Sequence, residues 1–300
     1  MKELKGALTA IITPMRENGD VDYDGFKRLI NFQLEQGIDG LVPLGTTGET
    51  PTLEEDEQEK LLRIAVDEVK GKVPLIIGTG SNNTKHMVSS TKQAKDMGAD
   101  IAMVVTPYYN KPNDDGLVCH FRAAAEVGIP ILVYNIASRT GRNIPTPLME
   151  KIAAIPGVMA VKEASGDIGQ MGEVIQTIAF PRRAAGNPFS VLSGDDSFIF
   201  PLMALGGDGV ISVIANLVPA KIKALTKACL AGDFEEGRRI HFELLPLMKA
   251  AFIETNPVPI KQAMTWAGLP GGPVRLPLGR LDPKNEAPLK AAIEKLGIKM

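Results

Sequence analysis

At 300 residues the chain exceeds an average domain, yet it matches the length of an eight-unit α/β barrel, which folds as one domain. Hydrophobic residues make up 44% and charged residues 23%, with Gly and Pro below the low-complexity range, which excludes a disordered scaffold. The net charge is −2 and no basic run is present to neutralise a row of phosphates, which excludes nucleic acid as a partner.

The first six residues carry Lys2, Glu3 and Lys5 and no apolar signal core, and no apolar stretch approaches the roughly 20 residues that a membrane helix needs. A cytoplasmic protein with no membrane partner is expected. Short apolar, β-branched runs then recur at residues 8–12, 40–44, 74–77, 101–105, 131–134, 158–161, 190–193 and 209–213. They are apolar throughout rather than alternating, as strands covered on both faces should be. Their starts lie about 19 to 34 residues apart, which leaves room for a helix in every gap but crowds the last one. Thr52 and Glu55 have the spacing of a capping box at a helix start. Gly37, Gly71, Gly98 and Gly128 follow four helical stretches, where a left-handed residue closes the last turn. Eight strand-helix units predict a (β/α)8 TIM barrel over residues 1–232, with a doubly wound open sheet as the weaker alternative. Residues 233–300 are expected to form a helical extension packed on the barrel, with helices over 233–254, 258–267 and 285–296.

Cys119 and Cys229 form no CxxC, and His86, His120 and His241 are not paired at metal-ligand spacing, so neither a metal nor another cofactor is expected. In a (β/α)8 barrel the catalytic groups lie at the carboxyl ends of the strands. Lys162 directly follows the apolar run 158–161. Burial there disfavours the ammonium and leaves a nucleophilic amine suited to Schiff-base formation; a solvated strand-end lysine is the competing reading. Gly45-Thr46-Thr47-Gly48 follows the second run and offers hydroxyls and amides to a small carboxylate, or simply a polar loop that caps a helix. It lacks the lysine of a nucleotide-binding loop. Three of the four tyrosines, Tyr108, Tyr109 and Tyr134, fall at strand ends, where a phenol beside an amine can relay protons; ordinary packing competes for Tyr23 and partly for Tyr108. Arg139, just past Tyr134, is a fork for a second carboxylate or a surface-loop arginine. The glycines of Gly206-Gly207-Asp208-Gly209 precede the eighth strand, the face opposite to barrel phosphate sites.

Several motifs follow one another in order: Gly45 to Glu49, Thr106-Pro107-Tyr108-Tyr109-Asn110, Tyr134-Asn135, Ser138-Arg139-Thr140-Gly141 and Val161-Lys162-Glu163-Ala164. Leu192 to Asp196, Gly209 to Val213 and Asn256-Pro257-Val258-Pro259-Ile260-Lys261 extend the set. In order and spacing it resembles the dihydrodipicolinate synthase family over nearly the whole chain. The resemblance implies a class I aldolase that condenses pyruvate with L-aspartate 4-semialdehyde in the diaminopimelate route to lysine. Lys162 would form the pyruvate imine, Tyr134 would move protons at it, Thr46 and Thr47 would hold the pyruvate carboxylate, and the Ile211 backbone would border the pyruvate. Thr46 would link Tyr134 to a tyrosine from a neighbouring subunit, matched by Tyr109, so a homo-oligomer is implied, a dimer or a dimer of dimers. Arg139 would bind the semialdehyde carboxylate and separates this reading from related N-acetylneuraminate lyases and 2-keto-3-deoxy sugar acid aldolases. A barrel that has lost catalysis is the reading from another class, against which the intact lysine, threonines and tyrosines stand.

Two departures from the family pattern are present. Ala137 replaces a usual proline before Ser138-Arg139 and frees a backbone torsion there, and residues 180–187 form a longer connection than usual, expected to bear on stability or assembly. In lysine-inhibited members an effector site lies near positions matching Thr50, Pro51, Glu55, Gln58, Asn82, His86 and Tyr108. His86 stands where sensitive members carry a glutamate, so weak or absent feedback inhibition is expected.

Overall fold

The computed structural model describes residues 3–300; Met1 and Lys2, part of the amino-terminal stretch without a signal core and of the expected 1–232 barrel, lie outside the described residues. Eight strands occur: β1 (Gly6–Thr9), β2 (Gly40–Leu41), β3 (Ile76–Gly78), β4 (Ile101–Val105), β5 (Ile131–Asn135), β6 (Val158–Glu163), β7 (Ser190–Ser193) and β8 (Gly209–Ser212). They form one sheet in the order β2-β1-β8-β7-β6-β5-β4-β3, and a parallel bridge between Leu41 and Leu75, the residue before β3, joins the two ends of that order. This is the expected (β/α)8 barrel, and the open doubly wound sheet is set aside. Apart from Gly78 and Val105, every strand residue is buried, which is why these runs carry no polar alternation.

β4 and β7 coincide with their apolar runs and the other six strands start or end elsewhere; the two that stop furthest short of the run's end, β1 and β2, do so for local reasons. The first run extends to Ile12, but β1 ends at Thr9: Ala10 and Ile11 N–H still donate to Ser212 O and Val42 O, and at Ile12 the N–H turns to the Asn216 side chain at 3.0 Å. The second extends to Leu44, but β2 ends at Leu41: Pro43 has no N–H to offer and Leu44 turns left-handed at φ 55°. The expected capping box is also displaced. Thr52 closes a 3-10 turn over Thr50–Thr52 by donating to Glu49 O, and the helix Glu55–Val69 is capped by Glu54 and Glu57. Gly37, Gly71, Gly98 and Gly128 are left-handed, with φ of 76°, 72°, 99° and 81°. The last three helices span Phe234–Ala250, Val258–Trp266 and Pro283–Glu294; Asp233 caps the first of them, its carboxylate accepting from Glu236 N–H.

The chain packs as two compact units, one of the residues up to Gly6 with Ile76–Ile211, the other of Ala7–Leu75 with Ser212–Met300. In the first, the 180–187 connection forms the helix Phe180–Ala184 and a turn. Arg182 donates to the carbonyls of Ala153 and Val158, and Arg183 pairs with Glu3 and with the buried Asp208, so the long connection is tied to the amino-terminal side of β6 and β8. In the second unit Asn216 Nδ2 donates to Ala10 O and Val213 O, and Gln33 Nε2 to Ala215 O, which satisfies carbonyls beyond the strand ladder. Among the described residues no helix is long and apolar enough to cross a membrane.

Candidate active site

In the first unit, parallel register sets Val105 beside Tyr134, Tyr134 beside Lys162 and Lys162 beside Leu192. Side chains alternate along a strand, so Lys162 and Glu163 leave β6 on opposite faces. The Lys162 amine lies 4.2 Å from the centre of the Tyr134 ring and the residue is only 5% exposed. Burial pulls its pKa down to about 7; Arg139 adds to that fall and Asp196 opposes it. Burial likewise raises Tyr134 far above an ordinary phenol, with Arg139 opposing and Asp195 adding, so the ring keeps its proton. A neutral amine beside a protonated phenol in a dry setting can add to a carbonyl and receive help in expelling water.

What holds Lys162 in place was not singled out from the sequence. Glu163 on the far face is fully buried and accepts from Asn135 Nδ2 at 3.2 and 3.1 Å, from Ser165 N–H at 2.7 Å and from Gln170 Nε2 at 3.4 Å. Burial raises its pKa against these hydrogen bonds. Gly194, within the quoted motif but given no role, donates to Glu163 O at 2.8 Å. A methyl group on Gly194 would lie 2.7 Å from the Ala164 Cβ and 3.2 Å from Cγ and Cε of Lys162. Gly194→Ala is therefore expected to displace the lysine and slow imine trapping about a hundredfold, the usual cost of an ångström-scale misplacement. Trapping rate and melting temperature measured together check this, and unchanged trapping would remove Gly194 from the site.

Arg139 lies exposed in the single helical turn Ala137–Thr140. The turn is closed by Arg139 N–H and Thr140 N–H to Ile136 O, by Gly141 N–H to Ala137 O, and by the Thr140 hydroxyl to Ile136 O. Ile211 is fully buried in β8. Tyr108 is exposed, and Tyr109 is 92% exposed and left-handed at φ 72°, a conformation that costs a tyrosine about 1–2 kcal/mol. Their turn is held by Asn110, whose N–H donates to Tyr108 O and whose Nδ2 donates to Asn82 O at 2.8 Å. His86 is exposed in the first turn of the helix Thr84–Asp96. Thus Lys162, Tyr134 and the charge of Arg139 come together in this unit, whereas Tyr109 is almost fully exposed.

In the second unit, Thr46–Gly48 is a 3-10 turn between two left-handed residues, Leu44 and Glu49, each at φ 55°. Thr46 is partly exposed and Thr47 buried, its hydroxyl oxygen accepting from Asn256 Nδ2 at 2.9 Å. The Glu49 carboxylate is fully buried and accepts from Lys261 Nζ at 2.6 Å and from Arg275 N–H at 2.9 Å; Lys261 also donates to Pro273 O at 2.6 Å. Asn256 and Lys261 belong to a motif quoted above without a role. A lone lysine inside the apolar helix Val258–Trp266 was the available signal. Thr50 and Pro51 lie in the next turn, Thr50 donating to Gly45 O, and Glu55 and Gln58 open the helix Glu55–Val69. Among the described residues no group of three or more His, Cys, Asp or Glu is placed to hold a metal ion.

The model of the dihydrodipicolinate synthetase family matches residues 3–296. A relative named 4-hydroxy-tetrahydrodipicolinate synthase in Nitratidesulfovibrio vulgaris is 48% identical over 298 residues, 99% of this chain and 99% of its own. One of the same name in Protochlamydia amoebophila is 47% identical over 294 residues, 98% of this chain and 97% of its own. Among solved structures, the dihydrodipicolinate synthase from Aquifex aeolicus has a TM-score of 0.93 at 43% identity and covers 99% of each chain.

Proposed function

This chain belongs to the dihydrodipicolinate synthetase family, and from that premise we propose that it is a lyase that condenses pyruvate with L-aspartate 4-semialdehyde through an imine on Lys162. The activity is that for which its relatives are named, 4-hydroxy-tetrahydrodipicolinate synthase. One observation carries the mechanism: a buried amine with a pKa of about 7 beside a phenol that keeps its proton. Neutral Lys162 adds to the ketone carbon of pyruvate, and Tyr134 protonates the departing hydroxyl, so that water leaves and a cationic imine remains. The cation then accepts the electron pair released when the methyl group gives a proton to the Tyr134 phenolate, which restores the phenol, and the enamine carbon attacks the aldehyde. No metal is needed for this electron flow, so a chelator is expected to leave activity intact.

The family resemblance supports giving Thr46 and Thr47 to the pyruvate carboxylate, the Ile211 backbone to its border and Arg139 to the semialdehyde carboxylate. Tyr109, exposed and held in a costly conformation, suits a role in the site of a neighbouring copy, so the working unit is a dimer or a dimer of dimers.

Borohydride with pyruvate should add one reduced adduct to the peptide that contains Lys162, and an adduct on another lysine would overturn the mechanism. Arg139→Ala removes a charge-assisted pair with a carboxylate, about 1.5–3 kcal/mol, so condensation should fall about ten- to a hundredfold while imine trapping, measured at a pH where Lys162 is fully neutral, holds. Equal loss of both would make Arg139 structural, and a wild-type preference for sugar aldehydes would move the protein to another aldolase specificity. At the effector positions, His86 lacks the carboxylate of lysine-sensitive members. Half-inhibition by L-lysine is expected no lower than the millimolar range in an initial-rate titration, and tighter inhibition would show that other residues, Glu55 among them, supply the missing charge.

A further inference from the structure

We propose that Asn256 is a positioning residue that fixes the Thr47 hydroxyl as a hydrogen-bond donor toward the carboxylate of pyruvate. This rests on the reading above that Thr47 holds that carboxylate. A hydroxyl has one proton and can either give or receive along any one contact. Thr47 is buried, and its oxygen receives a proton from Asn256 Nδ2 at 2.9 Å. An amide nitrogen can only donate, so the single Thr47 proton is left to another acceptor. A carboxylate, which only accepts, is complementary to a hydroxyl polarised in this way. The reverse arrangement would present lone pairs to an anion.

The surroundings make this orientation durable. Two residues after Thr47, Glu49 is joined to Lys261, five residues after Asn256, by an ion pair whose side chains are 0% and 1% exposed. The turn at 46–49 and the segment 256–261 are thus tied at two points, one through charge and one through the hydroxyl. Arg275 N–H on Glu49 and Pro273 O on Lys261 occupy further positions of the charged pair. Neither end of the Asn256–Thr47 contact can drift without separating buried charges.

The test uses Asn256→Asp, which keeps the shape but can only accept, together with Asn256→Ala, Thr47→Val and the double variant Thr47→Val with Asn256→Asp. The readouts are half-saturation by pyruvate in borohydride trapping, steady-state KM for each substrate, kcat and melting temperature. Asn256→Asp should raise the pyruvate half-saturation at least about tenfold, more than Asn256→Ala does. KM for the semialdehyde and kcat at saturating pyruvate should stay within about twofold. On the Thr47→Val background Asn256→Asp should add little, because its effect passes through the hydroxyl; a simple repulsion between the new charge and pyruvate would persist there in full. The inference is overturned if the two changes multiply, if both substrates weaken equally, or if only the melting temperature moves. If Asn256→Asp does not fold, Thr47→Val and Asn256→Ala reach the same contact from its two ends and must both raise the pyruvate half-saturation selectively. A wild-type enzyme that forms no pyruvate imine would overturn the functional reading and this inference with it, whereas normal trapping with an unaffected Asn256→Asp overturns the inference alone.

Discussion

Pyruvate imine formation is expected to rise tenfold per pH unit up to about pH 7 and to level off above it. Only the neutral amine attacks, and burial has brought Lys162 from an ordinary 10.5 to about 7. At pH 7 half of the lysine is reactive, against roughly one part in three thousand for an ordinary lysine. The pre-steady-state trapping rate from pH 5.5 to 10 measures this directly, and a profile still climbing at pH 9 would show that the amine is solvated. Asp196 favours the ammonium, so Asp196→Asn should move the midpoint down, whereas a lysine governed by another neighbour would not respond. Stability changes with pH in the same direction as activity, over the window between the two pKa values. A folded pKa below the unfolded one means stability present above about pH 10.5 and lost as the pH falls through about 7. Lys162→Met should therefore abolish activity and raise the melting temperature at pH 6.

The same residue shows how far the sequence carries. A cation directly after an apolar run can be read as a strand-end amine, because strand periodicity alone sets its position, and Tyr134 is legible on the same ground. The runs 101–105 and 190–193 coincide with β4 and β7, where the ladder continues for as long as the apolar residues do. Where a distant side chain or a backbone constraint ends the ladder, as Asn216 does at Ile12 and Pro43 does after β2, the run overstates the strand. Thr52 failed as a cap because Glu49, in a left-handed conformation, draws its hydroxyl into a turn of its own. The support for the site is the least legible part. Gln170 on Glu163 and Asn256 on Thr47 are chosen by three-dimensional proximity, with no local period to announce them. The resemblance supplied the motifs in which Gly194, Asn256 and Lys261 stand, but a role for each required the distances.

Replacing Glu49 by Ala is expected to cost about 3–5 kcal/mol of stability, because removal of one partner leaves the other buried charge uncompensated. Lys261 would retain Pro273 O as an acceptor, while Arg275 N–H would lose its own. Nothing comparable follows at Arg63–Glu59, whose side chains are 65% and 47% exposed and whose attraction is screened by water. Burial already depresses the Lys261 pKa against the opposing effect of Glu49, so without Glu49 the pKa falls further. A depressed lysine withdraws stability as the pH falls, so the Glu49→Ala penalty should shrink as the pH rises and Lys261 becomes neutral. Replacing both residues, Glu49→Ala with Lys261→Met, should recover part of the loss, since no charge then remains inside. Melting temperatures at pH 6 and pH 9 for these variants and for Glu59→Ala form the test. A Glu49→Ala protein as stable as Glu59→Ala would show that the pair is hydrated in solution, and a double variant less stable than Glu49→Ala would show that the left-handed turn, rather than the buried charge, carries the cost.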